Sequence, residues 1–509
     1  MKNKISNIVF IVIFMAVLIL PALFINRKSN QISEIDNQLL VEWPGIDLRL
    51  STIADIEKYV DGRIGFREEM ISSYISLNDK LFHVMVHPLF MYGKEGHIFF
   101  KDPYYIRAYQ RLNTDEVWLD SFTGFLEKTK DYLEKKDIKF IYYLCPDKKT
   151  VYSEYFPDTI HVKEDNPSVI EYLRKDLEKT DIEYIIPLEE LTEAKKTQVV
   201  YNKLYDATHW NEDGAFIGHE LIDKKLQEYF DDVEELKKDD FERTMETQTS
   251  LDISRFPINE QVPLYTLKEE KGQNFTDLLL MDLKFDSPTF YSHFNNPECQ
   301  NDRKLLVFTD SYFKGYYKFY ENRFKDVYFV HRQNYRYLQY YVNLFFPDMV
   351  IFETAERSIT GEMMEAIESF DDYYYEPGFD KEKEKEAYSE GDAPSYELTE
   401  LKGVTLAEDN KTLLLNVEGG ASIVSIEGYI RDTEGFARDY DVYAKIGDSE
   451  LVECNYYALN PLGELSVNNN FSINIQRRYL FEEDIDLIAL NRNTGEKFLL
   501  NRFEVRYEN

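Results

Sequence analysis

Lys304-Leu305-Leu306-Val307-Phe308-Thr309 is a short apolar run that delivers Asp310-Ser311 at its end, and the chain around it repeats the same plan. The run reads as a strand buried on both faces, since nothing in it alternates apolar with polar. After it, Tyr312 to Phe324 is expected to be a helix, Asp326 to His331 a strand, Tyr335 to Phe345 a helix and Asp348 to Thr354 a final strand. Before it, Thr114 to Lys135 has amphipathic helical spacing and Ile138 to Cys145 reads as a buried strand. Pro167 to Thr180 then reads as a helix, Ile182 to Pro187 as a strand, and Glu212 to Phe230 as a helix capped by Asn211. Residues 231–302 form a longer, less regular section. Strands alternating with helices predict an α/β fold, a flavodoxin-like parallel sheet with helices on both faces.

In such sheets ligands bind beyond the carboxyl ends of the strands. Ser311 lies just past one and opens a predicted helix, whose first amides would face a developing oxyanion. A serine there also serves as a plain helix cap. About a hundred residues upstream, Tyr205-Asp206-Ala207-Thr208-His209-Trp210-Asn211 places an Asp three residues before a His. Together these supply the parts of a nucleophilic relay: Ser311 as nucleophile, His209 as base, Asp206 to hold the ring in one tautomer. Asp310 precedes Ser311 directly, and neighbouring side chains at a strand end diverge, so it is expected to fix the turn instead.

Composition sets the frame. A chain of 509 residues is too long for one core. Its 39 Tyr and 35 Phe fill cores or stack on sugar rings. The net charge of −35 repels nucleic acid and anionic lipid surfaces, which argues against a nucleic-acid partner and a peripheral-membrane mode. Asn7 to Asn26 is nearly uninterrupted apolar sequence between Lys2, Lys4 and Arg27, Lys28. At ~1.5 Å per residue it matches a bilayer core, which predicts an uncleaved single-pass transmembrane anchor with the body outside the cytoplasm. Cys145, Cys299 and Cys454 lack metal-ligand spacing and read as free thiols, and the eight histidines show no HExxH pattern. No metal site and no cofactor are expected. Asp371 to Ser395 is a charged, Gly- and Pro-broken linker, and the remainder carries short β-branched and aromatic runs that predict a β-sandwich. The expected organisation is an anchor over 1–28, a juxtamembrane helical segment over 29–90, a catalytic domain over 91–372, a linker over 373–397 and a sandwich, with a carbohydrate-binding role in view, over 398–509.

From about Ile53 to Ile359 the chain resembles the exported SGNH-hydrolase-like O-acetyltransferases of the alginate O-acetyltransferase type. Asp61-Gly62-Arg63-Ile64-Gly65-Phe66-Arg67 is similar to the family's juxtamembrane element, and Gly93-Lys94-Glu95-Gly96-His97-Ile98-Phe99 to its Gly-Lys-Asp-Gly-Trp-Leu-Phe motif, with His97 in place of Trp. Pro146-Asp147-Lys148 with Tyr152 and Pro157, His209-Trp210-Asn211 with Gly214-Ala215, Asp310-Ser311, and Pro347-Asp348 through Glu356-Arg357 come in the family's order. Two departures stand out: the acid lies three residues before His209 rather than two, and Thr309 occupies the position of a Gly. The resemblance implies that Lys148, Tyr152, Trp210, Arg332 and Arg357 line the substrate site. It also implies a polysaccharide acceptor and a membrane-bound O-acyltransferase partner that supplies acetyl. Three readings stay open: an O-acetyltransferase, an esterase using the same relay with water as acceptor, and a non-catalytic glycan-binding scaffold.

Overall fold

The computed structural model describes residues 2–28, 40–45, 50–283, 290–359, 386–415, 421–432, 435–436, 440–447, 450–453, 470–480 and 483–507. Five parallel strands lie side by side in the order Tyr184–Ile185, Lys139–Cys145, Met349–Ala355, Lys304–Thr309 and Asp326–His331. Ser292–Asn295 adds to the last of these antiparallel, and Gln273–Asn274 closes the edge, so the sheet is mixed but mostly parallel.

The strands carry apolar residues on both faces because both are covered. Phe140, Tyr142, Leu144, Leu306, Phe308, Val350 and Phe352 enter one core, under the helices Glu116–Glu134, Val169–Leu177 and Leu338–Phe345. Ile141, Tyr143, Cys145, Leu305, Val307 and Ile351 enter the other, under Leu188–Ala194 and Glu212–Tyr229. The period of two along each strand sends neighbours to opposite cores.

Two expectations are corrected here. Tyr312 to Phe324 is not an α-helix but a series of turns with one 3-10 segment, Tyr316–Phe319. Gly315 takes φ 86°, a left-handed conformation that ends any helix, while Tyr312, Phe313, Phe319 and Tyr320 are all buried. The irregular section holds a long antiparallel hairpin, Phe241–Leu251 with Ser254–Leu267. Most of its first strand is exposed on both faces, so no apolar alternation marks it.

The C-terminal strands form a four-stranded and a six-stranded sheet that share one core, including Val424, Ile426, Ile473, Ile475, Leu413, Ile485, Leu487 and Phe503. This unit is docked on the α/β sheet. Gln476 Nε2 donates to Leu344 O at 2.7 Å, and the Arg478 guanidinium meets both Asp326 oxygens at 3.1 and 3.2 Å. Most of the expected linker lies outside the described residues, as does Cys454; Cys145 and Cys299 are free thiols. Among the described residues no helix is long and apolar enough to cross a membrane. Lys2–Leu23 is a 22-residue helix containing Pro21.

Candidate active site

Four carboxyl strand ends converge on one edge of the sheet. Lys139–Cys145 leads to Asp147 and Lys148, Lys304–Thr309 to Asp310 and Ser311, Asp326–His331 to Arg332, and Met349–Ala355 to Glu356 and Arg357. His209 arrives from the long loop before the helix Glu212–Tyr229. Asn211 starts that helix by accepting the Gly214 N–H (3.0 Å) and is tied back through Nδ2 to Val199 O (2.8 Å).

His209 Nδ1 lies 2.8 Å from Asp206 Oδ2, and Nε2 lies 2.8 Å from Ser311 Oγ. Asp206 Oδ1 accepts the backbone N–H groups of Thr208 (2.8 Å) and His209 (2.9 Å). Burial opposes its charge, but the His209 ring and those amides hold its carboxyl well below the usual carboxylate range. An ionised carboxylate only accepts, so Nδ1 carries the ring proton and Nε2 is left to accept from the Ser311 hydroxyl. Ser311 is exposed.

Asp310 does not approach His209. Its Oδ1 accepts Tyr312 N–H (2.9 Å), its Oδ2 accepts Ala355 N–H (3.0 Å), and Arg332 Nε lies 3.3 Å from Oδ2. It pins the turn that presents Ser311. Behind it, Glu353 accepts Asp310 N–H (2.8 Å); burial pushes its carboxyl far up, with the Asp310 charge adding.

Arg357 reaches the centre of the site. One guanidinium nitrogen is 3.0 Å from His209 Nε2 and 3.3 Å from Ser311 Oγ, and the other is 2.5 Å from Asp147. The same guanidinium lies over the Tyr312 ring at 5.2 Å. Asp147, fully buried, also binds Lys149 Nζ (3.0 Å), which in turn meets Glu356 (2.7 Å).

The other expected substrate contacts sit beneath the surface. Lys148 is fully buried and its ammonium donates to Ile98 O (2.8 Å), Lys203 O (3.1 Å) and Asp206 O (3.0 Å). Burial drives it down to about 7, against the pull of Asp206 and Glu260. All three of its donors are committed, so it holds the acid loop and the Ile98 strand together. The Tyr152 hydroxyl accepts Val200 N–H (3.2 Å), and Trp210 is buried among Tyr143, Tyr312 and Phe313. His97 stacks flat on Tyr155 at 4.0 Å.

Sequence reading missed the carboxylate that carries the acid loop. Glu260, on the long hairpin, accepts three successive backbone N–H groups, those of Lys203, Leu204 and Tyr205, at 2.6–2.7 Å. Arg243 and Tyr265 of the same hairpin bind Asp213 on the first turn of the helix Glu212–Tyr229. The hairpin therefore clamps both ends of the segment bearing Asp206 and His209. No local pattern marks these residues, because their partners lie about 30–57 positions away.

Among solved structures, the chain is similar to PatB1, AlgJ and AlgX. Bacillus cereus PatB1 is 17% identical over 54% of this chain and 98% of its own, with a TM-score of 0.43. The O-acetyltransferase domain of Pseudomonas putida AlgJ is 14% identical over 54% of this chain and 92% of its own (TM-score 0.34). Pseudomonas aeruginosa AlgX is 14% identical over 81% of this chain and 90% of its own (TM-score 0.34). No protein-family model and no curated protein matches the chain. At these identities the likeness concerns the fold.

Proposed function

We propose that this protein is an acyl-transfer enzyme, an O-acetyltransferase that moves acetyl through Ser311 to a hydroxyl of an exported polysaccharide. The observation that carries the reading is the continuous relay Asp206–His209–Ser311, with 2.8 Å at each link. Ser311 Oγ attacks the acetyl carbonyl as His209 Nε2 takes its proton, and His209 returns that proton to the departing group. The acetyl ester is then attacked by a sugar hydroxyl, whose proton passes to Nε2 and on to Ser311 Oγ. The preference for acetyl and for a glycan acceptor rests on the ordered motifs between Asp61 and Arg357. A membrane-bound O-acyltransferase as acetyl supplier and attachment through the N-terminal apolar helix, with the body outside the cytoplasm, complete the proposal.

Arg357 fills the oxyanion role in this scheme. The turns after Ser311 present no helix N-terminus, and Tyr312 N–H is already held by Asp310. A guanidinium nitrogen 3.3 Å from Ser311 Oγ can reach an oxygen on the carbon that Oγ attacks. Arg357→Met is expected to lower kcat by about 10²–10³ with a much smaller change in KM, the signature of a group felt mainly in the transition state. Arg357→Lys should not restore the rate, because a lysine lacks the planar fork whose two nitrogens reach Asp147 and Ser311 Oγ separately. Steady-state kinetics on an acetyl ester decide it; an unchanged kcat would remove Arg357 from the chemistry.

The test of the function itself is acceptor dependence. A chromogenic acetyl ester should give a burst and an acetyl adduct on Ser311, and an oligosaccharide acceptor should speed turnover and become acetylated. The exposure of Ser311 also admits water, which favours the esterase as second reading. Acetyl release indifferent to every acceptor would establish that esterase instead. Absence of any adduct would point to the scaffold.

A further inference from the structure

The helix Lys2–Leu23 is apolar on every side: Ile8, Val9, Phe10, Ile11, Val12, Ile13 and Phe14, seven consecutive residues, are each 50–69% exposed. Consecutive residues face all directions around a helix, so one protein groove cannot cover them, whereas hydrocarbon can. Its end is joined tightly to the turn at Arg63 to Gly65. Gly65 N–H donates to Pro21 O and Asn26 N–H to Arg63 O, at 2.9 and 2.8 Å. A Cβ on Gly65 would fall 2.6 Å from Phe24 Cβ, so only glycine permits this approach. The buried Arg63 guanidinium adds bonds to the carbonyls of Asn26, Lys28, Leu40 and Val41 and to Glu42.

The joint leads straight into the helix Arg67–Phe82, none of whose residues is buried. Met70, Tyr74, Leu77 and Leu81, spaced 4, 3 and 4 apart, form one stripe 44–63% exposed. Phe66 before it and Val84 after it extend the apolar surface, and the Phe66 ring meets Phe24 at 5.3 Å. The opposite face is engaged: Ile75 packs beside Phe90 and Ile98, and Asp79 accepts from the Tyr92 hydroxyl at 2.9 Å. In a chain of net charge −35, this stripe contains no acidic residue.

We infer that this stripe is a lipid-docking surface: the helix Arg67–Phe82 lies in the headgroup–acyl boundary of a bilayer, beside the apolar N-terminal helix. This rests on the membrane-attachment part of the proposal above. The apolar surface is continuous from the N-terminal helix through Phe24 and Phe66 to Leu81, so whatever solvates the first covers the second. Docking would hold the body close to the membrane. The Phe90–Phe100 hairpin, bonded to Asp79 on the other face of the helix and through Ile98 O to Lys148, would then sit between the docked helix and the body.

The full chain is reconstituted in phosphatidylcholine vesicles with a photoreactive benzophenone side chain at Leu77 or, as an off-stripe control, at Glu69. Illumination should give a lipid adduct at Leu77 and none at Glu69. Cross-linking of Leu77 to a second copy of the chain, or to another protein when the experiment is repeated in native membranes, would overturn the proposal. So would the absence of a Leu77 adduct in chain that resists alkaline extraction from the vesicles, a result that leaves attachment intact. Chain washed off by alkali without lipid adducts anywhere would sink attachment and docking together.

Discussion

Replacing Ser311 by alanine is expected to abolish the acetyl adduct and to lower turnover by about 10⁴–10⁶. The size of the loss comes from the relay: in the proposed mechanism Ser311 is the group that becomes acylated, and its hydroxyl is a poor nucleophile unless Nε2, 2.8 Å away, takes its proton. His209→Ala should cost nearly as much. The double variant should be scarcely worse than either single one, because the two act as a unit. Intact-mass spectrometry after exposure to the ester reads the adduct, and stopped-flow kinetics read the burst. The substitution itself should leave the fold alone, since Ser311 is exposed and the turn is held by Asp310 instead. A Ser311→Ala protein that still forms an adduct at normal rate would place the nucleophile elsewhere.

Asp206→Asn should lower kcat by about 10³–10⁴ with the fold intact. An asparagine keeps one oxygen for the amides of Thr208 and His209, so the loop survives. Its nitrogen, however, then faces Nδ1 as a donor, which forces the ring proton onto Nε2. Nε2 would donate toward Ser311 instead of accepting from it, and the base is lost. Asp310→Asn tests the alternative assignment. That change disturbs the turn at Tyr312 and Ala355 and exposes the Arg332 charge, so its main effect should be a lower thermal midpoint. Full activity in Asp206→Asn beside a stable but dead Asp310→Asn would reverse the two roles.

The strands Lys139–Cys145, Lys304–Thr309 and Met349–Ala355 could be read from the sequence because burial on both faces demands unbroken apolar runs. The pair Asp206 and His209 was legible for a local reason: the hydrogen bonds that bring them together close within three residues. Local rules failed where local and long-range demands conflict. Tyr312 to Phe324 stands between two strands, where a helix is expected, yet its aromatics are drawn into one core under the sheet and Gly315 breaks the path. The polar hairpin strand Phe241–Leu251 carries no pattern, since it is paired by its partner strand and not by a core.

What the sequence by itself determined is the α/β plan, the strand ends that meet at one edge, and which Asp, His and Ser the fold sets in one hydrogen-bonded row. Tertiary structure alone decided what surrounds them. It turned Lys148 from an expected substrate contact into a buried tie across three carbonyls, and set the Arg357 guanidinium between Asp147 and Ser311 Oγ. It also set Glu260 under three amides of the acid loop. The reason is physical: hydrogen-bond partners far apart in sequence leave no periodic trace, and which buried charge faces solvent or backbone is fixed only when the chain has packed.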